Sequence, residues 1–266
     1  MRRATGAADG AQEESQSYLA TVSDLMAGLI FVFILTLMIF ASRFQAAESR
    51  LKSTVATRDT LITAVGNALI KRGLKVVVNA DQGVLTFTED AIRFKQGYAQ
   101  PDSSSFILID TIAAVLGRII PCFVAYTDST LVCQSSAIDT AKLAGKIEAL
   151  MVEGHTDTVP ISAQLTRDKG YKNNLELSGA RASAVWQRLV QGNPGLVSLA
   201  NSSRKPILSI AGYGDLRLAD TSNPGSASNR RIDIRFIMEP LPDEHPPEPV
   251  NEVKGGLPGS ANSSGR

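Results

Sequence analysis

From Leu25 to Ala41 the chain reads LMAGLIFVFILTLMIFA without a charged side chain, and between Leu19 and Ser42 the only one is Asp24. At about 1.5 Å of rise per residue the longer window makes a helix roughly 36 Å long, enough to cross a hydrocarbon core of about 30 Å with some tilt. Residues 17–42 therefore read as a single transmembrane helix. A cleaved signal peptide is the competing reading, and Ala41-Ser42 imitates a cleavage site. The apolar core of a signal peptide is about 7–15 residues, however, shorter than this run. Flanking charge leaves the orientation open: Arg2 and Arg3 precede the span, whereas Arg43, Arg50 and Lys52 follow it, which weakly favours a cytoplasmic C-terminal side.

Asp24 is the costly element of this segment. An acidic side chain in the bilayer marks an ion or proton pathway in most cases, because insertion is penalised by about 2.5–3.5 kcal/mol at the helix centre. Such a carboxylate can bind and release a proton, or coordinate Na⁺, as its exposure changes. The alternative is a residue near a helix end whose carboxylate reaches the headgroups, since Asp24 lies only about 9 Å along a helix from Tyr18.

The remainder divides by composition. Residues 1–16 are small and polar and residues 240–266 are rich in Pro, Gly and Ser, so both tails are expected to lack a packable face. Residues 43–73 lack Pro and carry Leu51, Val55, Ile62, Val65 and Leu69 at near-heptad spacing, interrupted by Arg58. This helical linker fits either a short parallel two-helix coil or one amphipathic helix packed on the domain that follows. A net charge of +1 gives no reason to expect a nucleic-acid partner.

Residues 74–239 carry a mixed pattern. Two strands flank an NADQG turn (Asn79–Gly83), and Ser105 to Ile120 predicts a helix closed by Pro121. Ile138 to Leu150 predicts further helix running into a strand at about Leu150–Gly154, and Leu177 to Gln191 predicts an amphipathic helix ended by Gly192 and Pro194. Ile207–Ala211 and Arg231–Met238 predict strands, the second with Ile232, Ile234 and Phe236 on one face. The expected class is an α/β sandwich, a small mixed sheet with helices on one face.

Three islands in this domain are specific: EGHTDTVPI (Glu153–Ile161), NLELSGARA (Asn174–Ala182), and AGYGD (Ala211–Asp215) followed by NRRIDI (Asn229–Ile234). In this order they resemble the OmpA-like peptidoglycan-binding domain, and Phe94, Gly97 and Ala99 resemble the F-x-x-G-x-A segment at its start. The resemblance implies that Asp157 and Arg181 clamp the diaminopimelate of a peptidoglycan stem peptide, with Thr156, Asn174, Leu177 and Arg231 near the pocket. The chemistry is independently reasonable: a free diamino-acid end presents an ammonium and a carboxylate, which call for a carboxylate and a planar guanidinium fork. An internal Asp157–Arg181 salt bridge is the bland alternative. His155, with His245 in the tail as the only other histidine, has no partner for a metal site and is assigned a structural or pocket-shaping role.

The TRDKGYKN-containing stretch between Asp157 and Asn174 is longer than the ordinary OmpA-like loop, and its T-V-P-I start resembles the motility stator branch. A second insertion carries Cys122 and Cys133, the only cysteines. In the oxidising periplasm that a wall-binding domain implies, they are expected to form a disulfide, two buried thiols being the alternative.

The whole plan, with the short tail, Asp24 in the span, the helical linker and the wall domain, resembles MotB-type stator subunits. That resemblance implies an inner-membrane, single-pass protein with a cytoplasmic N-terminus and a periplasmic C-terminal domain. It implies a homodimer within a ring of MotA-like multi-span subunits, in a five-to-two assembly, and transported H⁺ or Na⁺ in place of a cofactor. The flagellar Y-A-D-x-M-T is replaced by SDLMAG at Ser23–Gly28, and the linker is short. These departures look more like the ZorB subunits of Zorya antiphage motors, whose partner would be ZorA-like. A passive membrane-to-wall tether uses the same parts without ion transport. No nucleophile elbow or zinc-ligand spacing suggests an enzyme.

Overall fold

The computed structural model describes residues 6–127, 131–135 and 138–241. Helix α1 (Gly6–Ile70) is followed by strands β1 (Val77–Asn79) and β2 (Val84–Thr88), helix α2 (Ser103–Ile119), strand β3 (Ile147–His155), helices α3 (Ala163–Lys169) and α4 (Asn174–Gly192), and strands β4 (Leu208–Gly214) and β5 (Arg231–Met238). The strands form one mixed sheet in the order β1-β2-β5-β3-β4. Only the β3–β4 pair is parallel, and α4 makes the crossover between them. The expected sandwich, with helices on one face of a small mixed sheet, is the fold observed.

Side-chain alternation makes the sheet two-faced. Leu85 and Phe87 of β2, Leu150 and Val152 of β3, and Ile232, Ile234 and Phe236 of β5 are buried in one core with α2 and α4. Helix α2 is apolar over a span-length stretch, but Ile109, Ile112, Val115 and Leu116 lie in that core, so it is a core helix. At the β1–β2 hairpin the Gly83 N–H donates to the Ala80 carbonyl at 3.0 Å, and Gly83 adopts φ +72°, the left-handed conformation glycine tolerates.

Helix α1 differs from the expectation at both ends. It is helical from Gly6, so residues 6–16 are not structureless; their Ala, Gln and Glu content favours helix once the apolar run nucleates it. Residues 1–5 and 242–266, the outer parts of the two expected tails, lie outside the described residues. At the other end Leu61, Ile62, Val65 and Leu69 are fully buried in the domain core. The reading as a helix packed on the domain therefore holds for this part of the stripe, and these side chains are not free to form a coil seam. Leu51 and Val55 remain exposed, as does every residue from Ser23 to Ala41.

The segment expected to be helix from Ile138 is instead a 3-10 turn at Thr140–Lys142, and the strand begins at Ile147. Gly145 at φ +86° stops any helix there, and the Ala144 N–H donates to Thr57 Oγ1 at 2.9 Å, stitching the segment to α1. Cys122 and Cys133 form a disulfide that closes the insertion after α2; residues 128–130, within it, lie outside the described residues.

Candidate functional site

Two close backbone contacts set the geometry of the site. A methyl group on Gly154 of β3 would meet the Ser178 carbonyl oxygen at 2.0 Å, and one on Gly212 of β4 would meet the Gly179 nitrogen at 2.5 Å. Helix α4 thus lies directly on the ends of β3 and β4, and Ser178 Oγ accepts the Gly214 N–H at 2.8 Å. This closeness accounts for the glycines of the GHTD and GYG islands. It brings Asn174, Leu177 and Arg181, spaced at one helical face, beside the chain leaving β3 at Thr156 and Asp157.

There they line a cavity of about 420 Å³ together with Glu89, Phe94, Gly97, Val159 and Arg230. Asn174 Nδ2 donates to the carbonyls of Asp157 (3.1 Å) and Val159 (3.2 Å), fixing the turn that presents the Asp157 carboxylate. Asp157 Oδ1 accepts the Val159 N–H at 3.2 Å, and Oδ2 pairs with Arg230 Nη1 at 2.6 Å. Arg230 also donates from Nε, at 3.0 Å, and from Nη2 to Glu89 Oε2. The pocket thus holds two carboxylates and two guanidiniums.

Asp157 and Arg181 do not pair with each other. Arg181 is only 3% exposed; its Nε donates to the Tyr98 carbonyl at 3.1 Å, and its guanidinium lies 4.9 Å from the centroid of the Phe94 ring. Among the described residues no carboxylate lies within ion-pairing distance of it. Burial pushes the Arg181 guanidinium down to about 10, with Asp157 acting against the shift and Arg230 adding to it. It therefore remains a cation at neutral pH, held in a low-dielectric wall and open to a carboxylate on a ligand.

Of the residues expected at the site, Asp157, Arg181, Thr156, Asn174 and Leu177 line this cavity. Arg231 does not. It is the first residue of β5 and shares a face with Asp233 and Arg235, so its Nε reaches Asp233 Oδ2 at 3.1 Å and its Nη2 the Arg217 carbonyl at 3.1 Å. The preceding residue, Arg230, lies outside the strand alternation and enters the pocket. The hydrophobic phase of Ile232, Ile234 and Phe236 was the signal that separates the two arginines. Glu89 carried no comparable signal, since Glu-Asp after a strand also suits an exposed turn.

On the helix-free face of the sheet, Glu153, His155 and Asp233 bring donor atoms within 4.8 Å of one another. Arg235 answers Glu153 through two bonds at 2.7 and 2.9 Å, and Arg231 answers Asp233. His155 Nε2 lies 3.2 Å from Asp233 Oδ2, and its ring stacks on Tyr213 with centroids 5.3 Å apart. Two guanidiniums already balance the two carboxylates, and a buried divalent ion would leave excess positive charge. The cluster is a charge network on β3 and β5, in which His155 is packed against Asp233 and Tyr213.

Within α1, Asp24 is exposed in the apolar stretch. The Thr36 hydroxyl, the only polar side chain between Leu25 and Ala41 apart from the backbone, donates to the Val32 carbonyl at 2.8 Å and is satisfied within its own helix.

Residues 126–231 match the family model described as the OmpA family. A search of curated proteins found no match. Among solved structures, the chain is similar to a MotB-like protein from Desulfovibrio vulgaris at 18% identity and a TM-score of 0.41, over 73% of this chain and 98% of that one. It is similar to the periplasmic domain of Helicobacter pylori MotB at 20% identity and a TM-score of 0.42, over 62% and 83% of the two chains. It is also similar to the cell wall anchor of the type VI secretion system (T6SS) from Pseudomonas aeruginosa at 22% identity and a TM-score of 0.39, over 67% and 97%.

Proposed function

We propose that this chain is the peptidoglycan-anchored, MotB-type stator subunit of an ion-driven motor in the bacterial inner membrane. The observation that carries the anchor is Arg181, a buried cation with no carboxylate partner among the described residues, in the same cavity as the Asp157 carboxylate. That arrangement suits the carboxylate and ammonium of a diaminopimelate end, and the OmpA-family match over residues 126–231 supports the same ligand. Full-length protein in detergent is expected to co-sediment with purified peptidoglycan sacculi, and Asp157→Ala and Arg181→Ala to lose most of that binding. Wild-type sedimentation by both variants would overturn the clamp.

The motor reading adds Asp24. With the wall domain in the periplasm, the N-terminus is cytoplasmic, and Asp24 sits near the cytoplasmic end of the span as the group that takes up H⁺ or Na⁺. At roughly 100 mV each elementary charge crossing supplies about 2.3 kcal/mol. The exposed apolar face of α1 suits a homodimer inside a ring of MotA-like or ZorA-like subunits. The short connection between span and core and the disulfide-closed insertion favour a ZorB-like member of a Zorya antiphage system over a flagellar one. A neighbouring gene for a MotA-like protein with a long cytoplasmic tail, beside helicases or nucleases, would support that assignment; chemotaxis genes would support motility. A passive tether is the second reading, favoured by Thr36, the one polar side chain between Leu25 and Ala41, whose hydroxyl is bonded within its own helix, and Asp24→Asn separates the two.

A further inference from the structure

The structure leaves Asp157 in an awkward position for its proposed task. Its Oδ2 is already paired with Arg230 Nη1 at 2.6 Å and its Oδ1 with the Val159 N–H at 3.2 Å. A ligand ammonium arriving at Asp157 must share or replace the Arg230 contact. What keeps that exchange feasible is the opposite side of the same guanidinium, where Nε and Nη2 both donate to Glu89 Oε2. Glu89 comes from the end of β2 and Asp157 from the end of β3, so Arg230 spans two separate segments across the cavity wall.

We infer that Glu89 is a positioning residue: by holding the Nε–Nη2 edge of Arg230, it leaves Asp157 with a single, releasable bond and so lets the pocket accept the amine of its ligand. This rests on the wall-binding reading above. Two physical effects act in the same direction. Without the Glu89 carboxylate, Arg230 is free to turn both of its terminal nitrogens toward Asp157, and a forked guanidinium–carboxylate pair is harder to displace than one bond. Charge balance gives the second effect. Asp157 and Glu89 offset Arg181 and Arg230, and a zwitterionic ligand end preserves that balance; removing Glu89 leaves the cavity positive, which penalises an ammonium and leaves a carboxylate unopposed. Glu89 and Arg230 are about one-third exposed, so screening keeps the effect moderate.

The test is calorimetric titration of the full-length protein in detergent with two probes. One is the tripeptide L-Ala-γ-D-Glu-meso-diaminopimelate, and the other is the same peptide with its free side-chain amine acetylated. Wild-type protein is expected to prefer the free-amine peptide. Glu89→Gln is expected to weaken that peptide about tenfold while leaving the acetylated one within about twofold, and Glu89→Asp to recover most of the loss. Unchanged affinity of Glu89→Gln for the free-amine peptide, or equal loss for both peptides, would overturn the role of Glu89 alone. Wild-type protein that binds neither peptide would overturn the wall-binding reading and this inference with it.

Discussion

Arg181 is the residue whose energetics and proposed role conflict most clearly. Burying a guanidinium without a carboxylate costs several kcal/mol, and its compensation is one carbonyl hydrogen bond and the Phe94 ring, together about 2–3 kcal/mol. Arg181→Met, similar in length and uncharged, is therefore expected to leave the domain equally stable or more stable by about 1–2 kcal/mol in urea unfolding, while abolishing peptidoglycan binding. A loss of more than about 2 kcal/mol would instead make Arg181 a structural residue. Asp233 behaves in the opposite way. Burial alone would raise its carboxyl, but the contact from His155 and the charge of Arg231 outweigh it and hold the group below the usual carboxylate range. Its stabilisation is then fully present above about pH 4, the unfolded value, and is lost as pH falls through the lower folded value. Asp233→Asn should thus be less stable than wild type at pH 7, with the gap closing in acid below about pH 4. A constant gap down to pH 2 would show that the carboxylate's charge is not what matters. At this scale the sequence was partly legible: Asp157 and Arg181 stand in specific islands, whereas the choice between Arg230 and Arg231 turns on which face a strand's first residue takes, and Glu89 becomes visible only when β2 and β3 are placed side by side.

Helix α1 shows why elements were easier to recognise than their boundaries. The spacing of Leu51, Val55, Ile62, Val65 and Leu69 is satisfied equally by a partner helix or by a sheet and two helices of the same chain, and periodicity cannot distinguish them. The structure divides the stripe, leaving Leu51 and Val55 exposed and burying the last three with Leu61. At about 1.5–3 kcal/mol for each buried aliphatic side chain, these four contribute about 6–12 kcal/mol, comparable with the whole net stability of a domain. A soluble fragment beginning at residue 74 is therefore expected to be unfolded or aggregated, whereas one beginning at residue 53 should give cooperative thermal unfolding by circular dichroism. Cooperative unfolding of the shorter fragment would show that α1 is peripheral to the core. The misread segment before β3 has a similar origin: its composition suits helix, but Gly145 and the bond from Ala144 to Thr57 commit it to following α1 instead.

For the whole molecule, the consequence is that the apolar stretch and the α/β domain share a helix. From Asp24 to Leu61 the chain runs about 55 Å along α1 without a break, and at its far end the helix is part of the domain core. A helix built into the domain in this way can transmit rotation or tilt of its apolar stretch to the domain, and can equally be held still by it. A stator that a partner ring pushes against needs that mechanical continuity, and so does a tether, so the fold alone does not distinguish them. The distinction lies in Asp24, which is remote from every contact that forms the domain. Asp24→Asn removes the titrating group and keeps the side chain's size, so wall binding and thermal stability should match wild type. If the protein is a motor subunit, ion-dependent activity of the reconstituted complex with its multi-span partner should fall to background, as should phage protection or motility in cells. If it is a tether, those activities should survive Asp24→Asn and be lost in Asp157→Ala and Arg181→Ala. The two sets of variants, one in the apolar stretch of α1 and one in the cavity of the α/β domain, therefore assign the work of the protein to one end or to both.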